Sequence, residues 1–157
     1  MYIISKCLLG CNCKYNGGNN LNEAVVEFSK SHTCISICPE SLGGLSSPRC
    51  PAEIVEDECG LRVVDKDGKN VRENFLKGSN KAISQVLAEA KAKGEKIEGA
   101  ILKANSPSCG VSQIYDGSFT GALREGDGVM VRLLKNETDD AISDRMTFFT
   151  EMDIDKL

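Results

Sequence analysis

In the stretch "LKANSPSCG" (residues 102–110) an apolar run ends, the chain turns at Pro107, and Cys109 follows. A thiol at the end of a core strand can serve as a nucleophile, half of a disulfide, a metal ligand or packing. Two other thiols share this setting. Cys7 in "SKCLLG" and Cys38 in "SICPES" each stand where apolar residues give way to turn residues. A glycine or proline beside a cysteine frees backbone N–H groups to face a bound thiolate or sulfide and lets backbone approach a cluster closely. The remaining thiols read differently. Cys34, alternating with Ile35 and Ile37, and Cys59, in an acidic turn, are assigned to packing, while Cys50 in "SPRCPAEI" stays undecided.

The donor set narrows the chemistry. The only histidine, His32 in the polar stretch "SKSHT", excludes a histidine-rich zinc site within one chain and reads as a surface-loop residue. Thiolates without histidine suit zinc or an iron–sulfur cluster. Structural zinc usually takes two close pairs such as C-x2-C, whereas the close pairs here are Cys7-x3-Cys11, Cys11-x-Cys13 and Cys34-x3-Cys38. On an extended strand Cys34 and Cys38 would lie about 13 Å apart, too far to share one ion. Three well-separated ligands suit a larger object, a 4Fe-4S cluster with one iron left open, and an open iron is a Lewis acid. An iron–sulfur or zinc protein with a sensing or structural role and no catalysis uses the same thiols and stands as the alternative.

The elements that must position these thiols follow from the apolar patterning. "YIIS", "TCISIC" (33–38) and "IEGAILKA" read as buried strands, and "MTFFTEMDI" as a last one. "LNEAVVEFSKS" has helical spacing with Leu21, Ala24, Val25 and Phe28 on one face, and Arg72 to Lys93 is the clearest helix, with Ile83, Val86, Leu87 and Ala90 as its stripe. "GVMVRLLKNE" reads as a short helix after "GDG", "LRVVDKDGKNV" as a hairpin around Asp67-Gly68, and Pro39 to Pro51 as a long loop. Strands alternating with helices predict an α/β fold, a single domain over 1–157 with a mainly parallel sheet flanked by helices. Ligands of such sheets bind beyond the carboxyl ends of the strands, where Cys7, Cys38 and Cys109 would converge.

Composition sets the limits. The chain has 157 residues, 41% hydrophobic and 27% charged, with net charge −4, which excludes an extended nucleic-acid surface but not a small ligand. No apolar run approaches the roughly 20 residues of a membrane span. "MYIISKCLLG" lacks the basic and longer apolar regions of a signal peptide, so a cytoplasmic protein with reduced thiols is expected.

The stretches "SKCLLGCNCKYNGG", "ICPESLGGLSSPRCPAEI" and "LKANSPSCGVSQIYDGSFTG" resemble the thiouracil desulfidase family, with the likeness running from Ser5 to about Gly128. The resemblance implies a 4Fe-4S enzyme that removes sulfur as sulfide from 2-thiouracil or a related thionated nucleobase, without net redox change. It implies Cys7, Cys38 and Cys109 as cluster ligands and Glu40 and Ser106 as catalytic residues. Glu40, two residues from a ligand, suits a general base, and Ser106 suits a hydrogen bond to the ring or a proton relay. Arg49 and Glu53 are expected to pair across the long loop, and Tyr15 either lines the pocket or is buried to fix its loop. The chain departs from the family pattern at Cys50, where proline is expected, and in Cys11, and either thiol could also offer a fourth ligand. Cys13 is the strongest candidate for a fourth ligand that would close the open iron.

Overall fold

The computed structural model describes all 157 residues. The chain begins with β1 (Tyr2–Ser5), a 3-10 turn over Lys6–Leu9 and α1 (Glu23–Ser31), followed by β2 (Cys34–Ile37) and the one-turn helix α2 (Pro39–Leu42). A hairpin of β3 (Ala52–Asp57) and β4 (Gly60–Asp65) precedes the long helix α3 (Arg72–Lys93) and β5 (Ile97–Leu102). The short strands β6 (Gln113–Tyr115) and β7 (Leu123–Glu125), α4 (Val129–Lys135), β8 (Ile142–Thr150) and a terminal 3-10 turn over Glu151–Lys156 complete it.

The main sheet has the order β2-β1-β5-β8 with every neighbouring pair parallel, as the alternation of strands and helices predicts. Its strands are apolar at successive positions because both faces are covered. Ile3, Ala100 and Leu102 point into a core shared with Ala82, Val86 and Ala90 of α3 and Met130, Val131 and Leu134 of α4. Ile4 and Ile101, one residue out of phase, pack with Leu8 and Val25 beneath α1 on the other face. The β3–β4 hairpin buries Ile54 and Val63 against Phe75, Ile114 and Val129 in a separate cluster.

Local signals explain where the helices start and stop. Asn22 caps α1 by accepting a hydrogen bond from the Val25 amide at 3.1 Å, a contact worth about 1 kcal/mol. α3 ends at Gly94, whose φ of +66° accommodates the left-handed turn. α2 is pinned against α3 by two glycines. A Cβ on Gly78 would lie 1.7 Å from the Pro39 carbonyl oxygen, and one on Gly43 would lie 2.0 Å from that of Asn74.

Four expectations are corrected. The hairpin turns at Glu58-Cys59, between the paired residues Asp57 and Gly60, while the Asp67-Gly68 turn closes only on a single Val64–Asn70 bridge. The segment 39–51 is not all loop, because Pro39 at the first helical position starts α2. For the same reason the second strand stops at Ile37. On α1 only Val25 is fully buried: Phe28 is partly covered, Ala24 is exposed and Leu21 is 58% exposed ahead of the helix.

Candidate active site

The carboxyl ends of β1, β2 and β5 open into one cavity of about 420 Å³, lined by Cys7, Cys38, Cys109, Glu40 and Ser106 among others. Cys7 lies in the 3-10 turn directly after β1, and Cys38 is the residue that caps α2 after β2. Cys109 sits in the turn after β5, held from behind by α4. The amides of Val129 and Met130 donate to the carbonyls of Pro107 and Ser108 at 2.9 and 3.0 Å. Gly128 makes this possible, since a Cβ there would lie 2.5 Å from the Ser108 carbonyl carbon. The Ser5 hydroxyl, at the end of β1, accepts from the Lys103 amide at 3.0 Å and ties the two strand ends together.

Polar side chains flank each of these sulfurs. Asn20 Nδ2 donates to Cys7 Sγ at 3.4 Å, Ser41 Oγ to Cys38 Sγ at 3.3 Å, and Ser108 Oγ approaches Cys109 Sγ at 3.7 Å. A fourth thiol, Cys13, is buried and lines the same cavity beside Cys7 and Cys38. Its one thiol proton, available to either sulfur, is the main reason that Cys7 and Cys38 are held below an ordinary thiol, with Asn20 and Ser41 adding to the effect. The same contacts push Cys13 itself up. Cys109, 4% exposed, is pushed up to about 12 by burial. The thiolate is the metal-binding form, so two of the three strand-end sulfurs are held close to the state a metal centre needs.

This donor set fits an iron–sulfur cluster. Four cysteines and no histidine line the cavity, and clusters are held by thiolates.

Beside the thiols runs a chain of polar groups. Ser108 Oγ donates to Glu40 Oε2 at 2.9 Å, and the Ser106 and Ser108 hydroxyls lie 3.0 Å apart. Ser106 Oγ also accepts from the amides of Ser108 and Cys109 at 3.2 and 3.1 Å, so it shapes the cysteine turn as well. Arg49 Nε donates to Glu40 Oε1 at 3.3 Å, with the two side chains only 8% and 17% exposed. Burial pushes the Glu40 carboxyl above the usual carboxylate range, against the pull of Arg49 and Ser108. Arg49 also donates to the Cys13 carbonyl at 2.9 Å, so one guanidinium joins the loop carrying Cys13 to the carboxylate.

Arg49 therefore pairs with Glu40 and not with Glu53. Glu53 instead accepts from the amides of Gly117 and Phe119 at 2.9 and 3.2 Å. Tyr15 lines the cavity and is 44% exposed, so it is not the buried anchor of its loop. Cys50 donates to Asp67 at 3.2 Å, and Cys59 is exposed on the hairpin turn. Cys34 is partly buried and packs beneath α1, and His32 is exposed, its ring stacked on Phe28. Sequence reasoning missed Ser108 as the hydroxyl that touches Glu40. The only signal was its place in "SPSC", two residues beyond Ser106.

The profile of the family described as 2-thiouracil desulfurase matches residues 2–145. A Bacillus subtilis (strain 168) protein described as uncharacterized protein YbbK is 38% identical over 141 residues, which cover 86% of this chain and 89% of that one. A solved structure of the 4Fe-4S-dependent thiouracil desulfidase TudS superposes with a TM-score of 0.79 at 32% identity, covering 99% of this chain and 93% of that one.

Proposed function

This chain belongs to the 2-thiouracil desulfurase family, and from that membership we propose that it is a 4Fe-4S-dependent desulfidase. It replaces the sulfur of 2-thiouracil, or of a related thionated nucleobase, with oxygen from water and releases sulfide. Water adds at the ring carbon and sulfide leaves, so no electrons are exchanged. The protein acts as one domain over 1–157 in the cytoplasm.

Cys7, Cys38 and Cys109 hold the cluster in this reading. When bound, a cluster with one iron free of protein ligands supplies a Lewis acid for the substrate's sulfur. The rest of the chemistry belongs to side chains. Glu40 takes a proton from the attacking water, and its raised pKa brings it closer to the range in which a carboxylate is an effective base. Arg49 holds Glu40 in place and offsets its negative charge. Ser108 bridges Glu40 to Ser106, and this chain of hydroxyls moves a proton between the base and the substrate. Cys13 shares its single thiol proton between the sulfurs of Cys7 and Cys38 and stays outside the ligand set in this reading.

The observation that supports this reading is the presence of three strand-end thiols and a half-buried, hydrogen-bonded carboxylate in one cavity. The test is sulfide release from 2-thiouracil by anaerobically reconstituted protein, with iron and acid-labile sulfide assayed alongside. Glu40→Gln is expected to keep the wild-type iron and sulfide content while release falls by about 10²- to 10⁴-fold, the usual contribution of a general base. Unchanged release would remove Glu40 from the mechanism. A wild-type protein with a full cluster and no release would overturn the desulfidase reading.

A further inference from the structure

The aromatic side of the cavity plays no part in the mechanism above. The chain holds three tyrosines and five phenylalanines. Of these, Tyr15, Tyr115 and Phe119 line this one cavity. Phe119 stands out by its backbone, whose φ of +58° lies in the left-handed region that bulky side chains rarely adopt. Such a conformation persists only where the surroundings over-determine it, and it clusters at ligand clamps.

Glu53 and its neighbours supply that determination. Glu53 lies on β3, is 8% exposed, and uses one carboxylate oxygen to accept from both the Gly117 and Phe119 amides. Gly117, at φ +93°, runs so close to β3 that a Cβ on it would lie 3.0 Å from the Ile54 carbonyl oxygen. Within the turn, Asp116 Oδ1 accepts from the amide of Ser118 at 2.9 Å and from its hydroxyl at 2.5 Å. The Ser118 and Thr120 hydroxyls meet at 2.6 Å. The turn joining β6 to β7 is therefore clamped to a different hairpin and braced within itself, and the residue held at its centre faces the cavity.

We propose that Phe119 is the stacking wall of the substrate pocket, selecting flat conjugated rings, and that Glu53 is the positioning residue that holds it there. An aromatic face stacks on any planar heterocycle and tolerates differences in its substituents. The wall fixes the plane of the ring, and the polar groups across the cavity act on the substituent. The proposal rests on the desulfidase reading only for what that substituent is, a sulfur. For the ring itself it stands on the cavity and the clamp.

The test uses cluster-loaded protein under anaerobic conditions, with steady-state turnover of 2-thiouracil and equilibrium dialysis of uracil. Phe119→Leu is expected to raise KM and weaken uracil binding by about tenfold, within the range that loss of one base–aromatic stack produces, while kcat changes by less than about twofold. Phe119→Tyr, which restores the ring, is expected to return both values to within about threefold of wild type. Glu53→Gln is expected to speed hydrogen exchange at the Gly117 and Phe119 amides and to raise KM in the same direction. A Phe119→Leu protein that binds uracil as tightly as wild type would overturn the wall, as would a Phe119→Tyr protein no better than Phe119→Leu. Unchanged exchange and KM in Glu53→Gln would overturn the positioning role. A wild-type protein that binds uracil but releases no sulfide would break the desulfidase reading instead, and the dialysis would still decide the wall.

Discussion

At the scale of single residues, Cys13 shows how one thiol can govern the charge on its neighbours. Its thiol is the chief stabiliser of negative charge on Cys7 and Cys38. Removing a donor to a charged form raises the pKa of that form. In Cys13→Ala, Cys7 and Cys38 should therefore move back up towards an ordinary thiol, with less thiolate present at pH 7. The expected outcome is alkylation of both by iodoacetamide several-fold slower than in wild type, read peptide by peptide by mass spectrometry on cluster-free protein. Unchanged rates would show that Cys13 does not set their reactivity. The spacing of Cys7 and Cys13 brings this residue forward as a possible fourth ligand, and nothing in the residue order shows that its thiol would meet Cys7 and Cys38. That meeting depends on where the 11–20 loop folds, and Arg49 helps fix the loop through the Cys13 and Tyr15 main chains.

At the scale of elements, α2 depends on α3 through Gly43 and Gly78. Both faces of this contact are backbone, so neither can yield to an added methyl group. Gly78→Ala is expected to destabilise the protein by about 2–3 kcal/mol or more, as overpacking of a rigid contact does, and a fall in the urea midpoint at constant slope would register it. A loss below about 0.5 kcal/mol would mean that the helices separate freely, as at an ordinary surface site. The C-terminal 3-10 turn offers a pH-dependent counterpart. Thr150 and Asp153 form a reciprocal cap, and hydrogen bonds from Lys156 and Thr150 hold the Asp153 carboxyl at about 2, below its ordinary value of 3.8. A carboxyl depressed in the folded state contributes stability above its unfolded pKa and loses it as pH falls through the folded one. The stability gap between wild type and Asp153→Asn should therefore be full at pH 5 and close between about pH 4 and pH 2 in acid-titrated melts. A gap independent of pH would exclude the carboxylate charge as its source.

At the scale of the molecule, the features legible in the sequence were those written in apolar periodicity and in chain breaks. The strands "YIIS" and "IEGAIL" and the 72–93 helix read directly because burial on both faces of a sheet, or along one helical stripe, leaves a pattern in the residues. The convergence of Cys7, Cys38 and Cys109 followed from that pattern together with parallel topology. The β3–β4 turn was illegible because Asp67-Gly68 is the stronger turn signal and Glu58-Cys59 carries almost none. The pairing of Arg49 with Glu40 and the grip of Glu53 on the Phe119 turn join residues far apart in the chain, and no local propensity encodes them.

The cavity also has two kinds of wall. Its thiols, serines and Glu40 follow strands of the four-stranded sheet, whereas Glu53, Tyr115 and Phe119 stand on or between strands of two antiparallel hairpins that share no strand with that sheet. Mutations in the hairpins can reshape what the pocket accepts without touching the strand ends that hold the reactive groups. A lineage built on this plan can therefore inherit its chemistry intact while its preference for one thionated compound over another drifts.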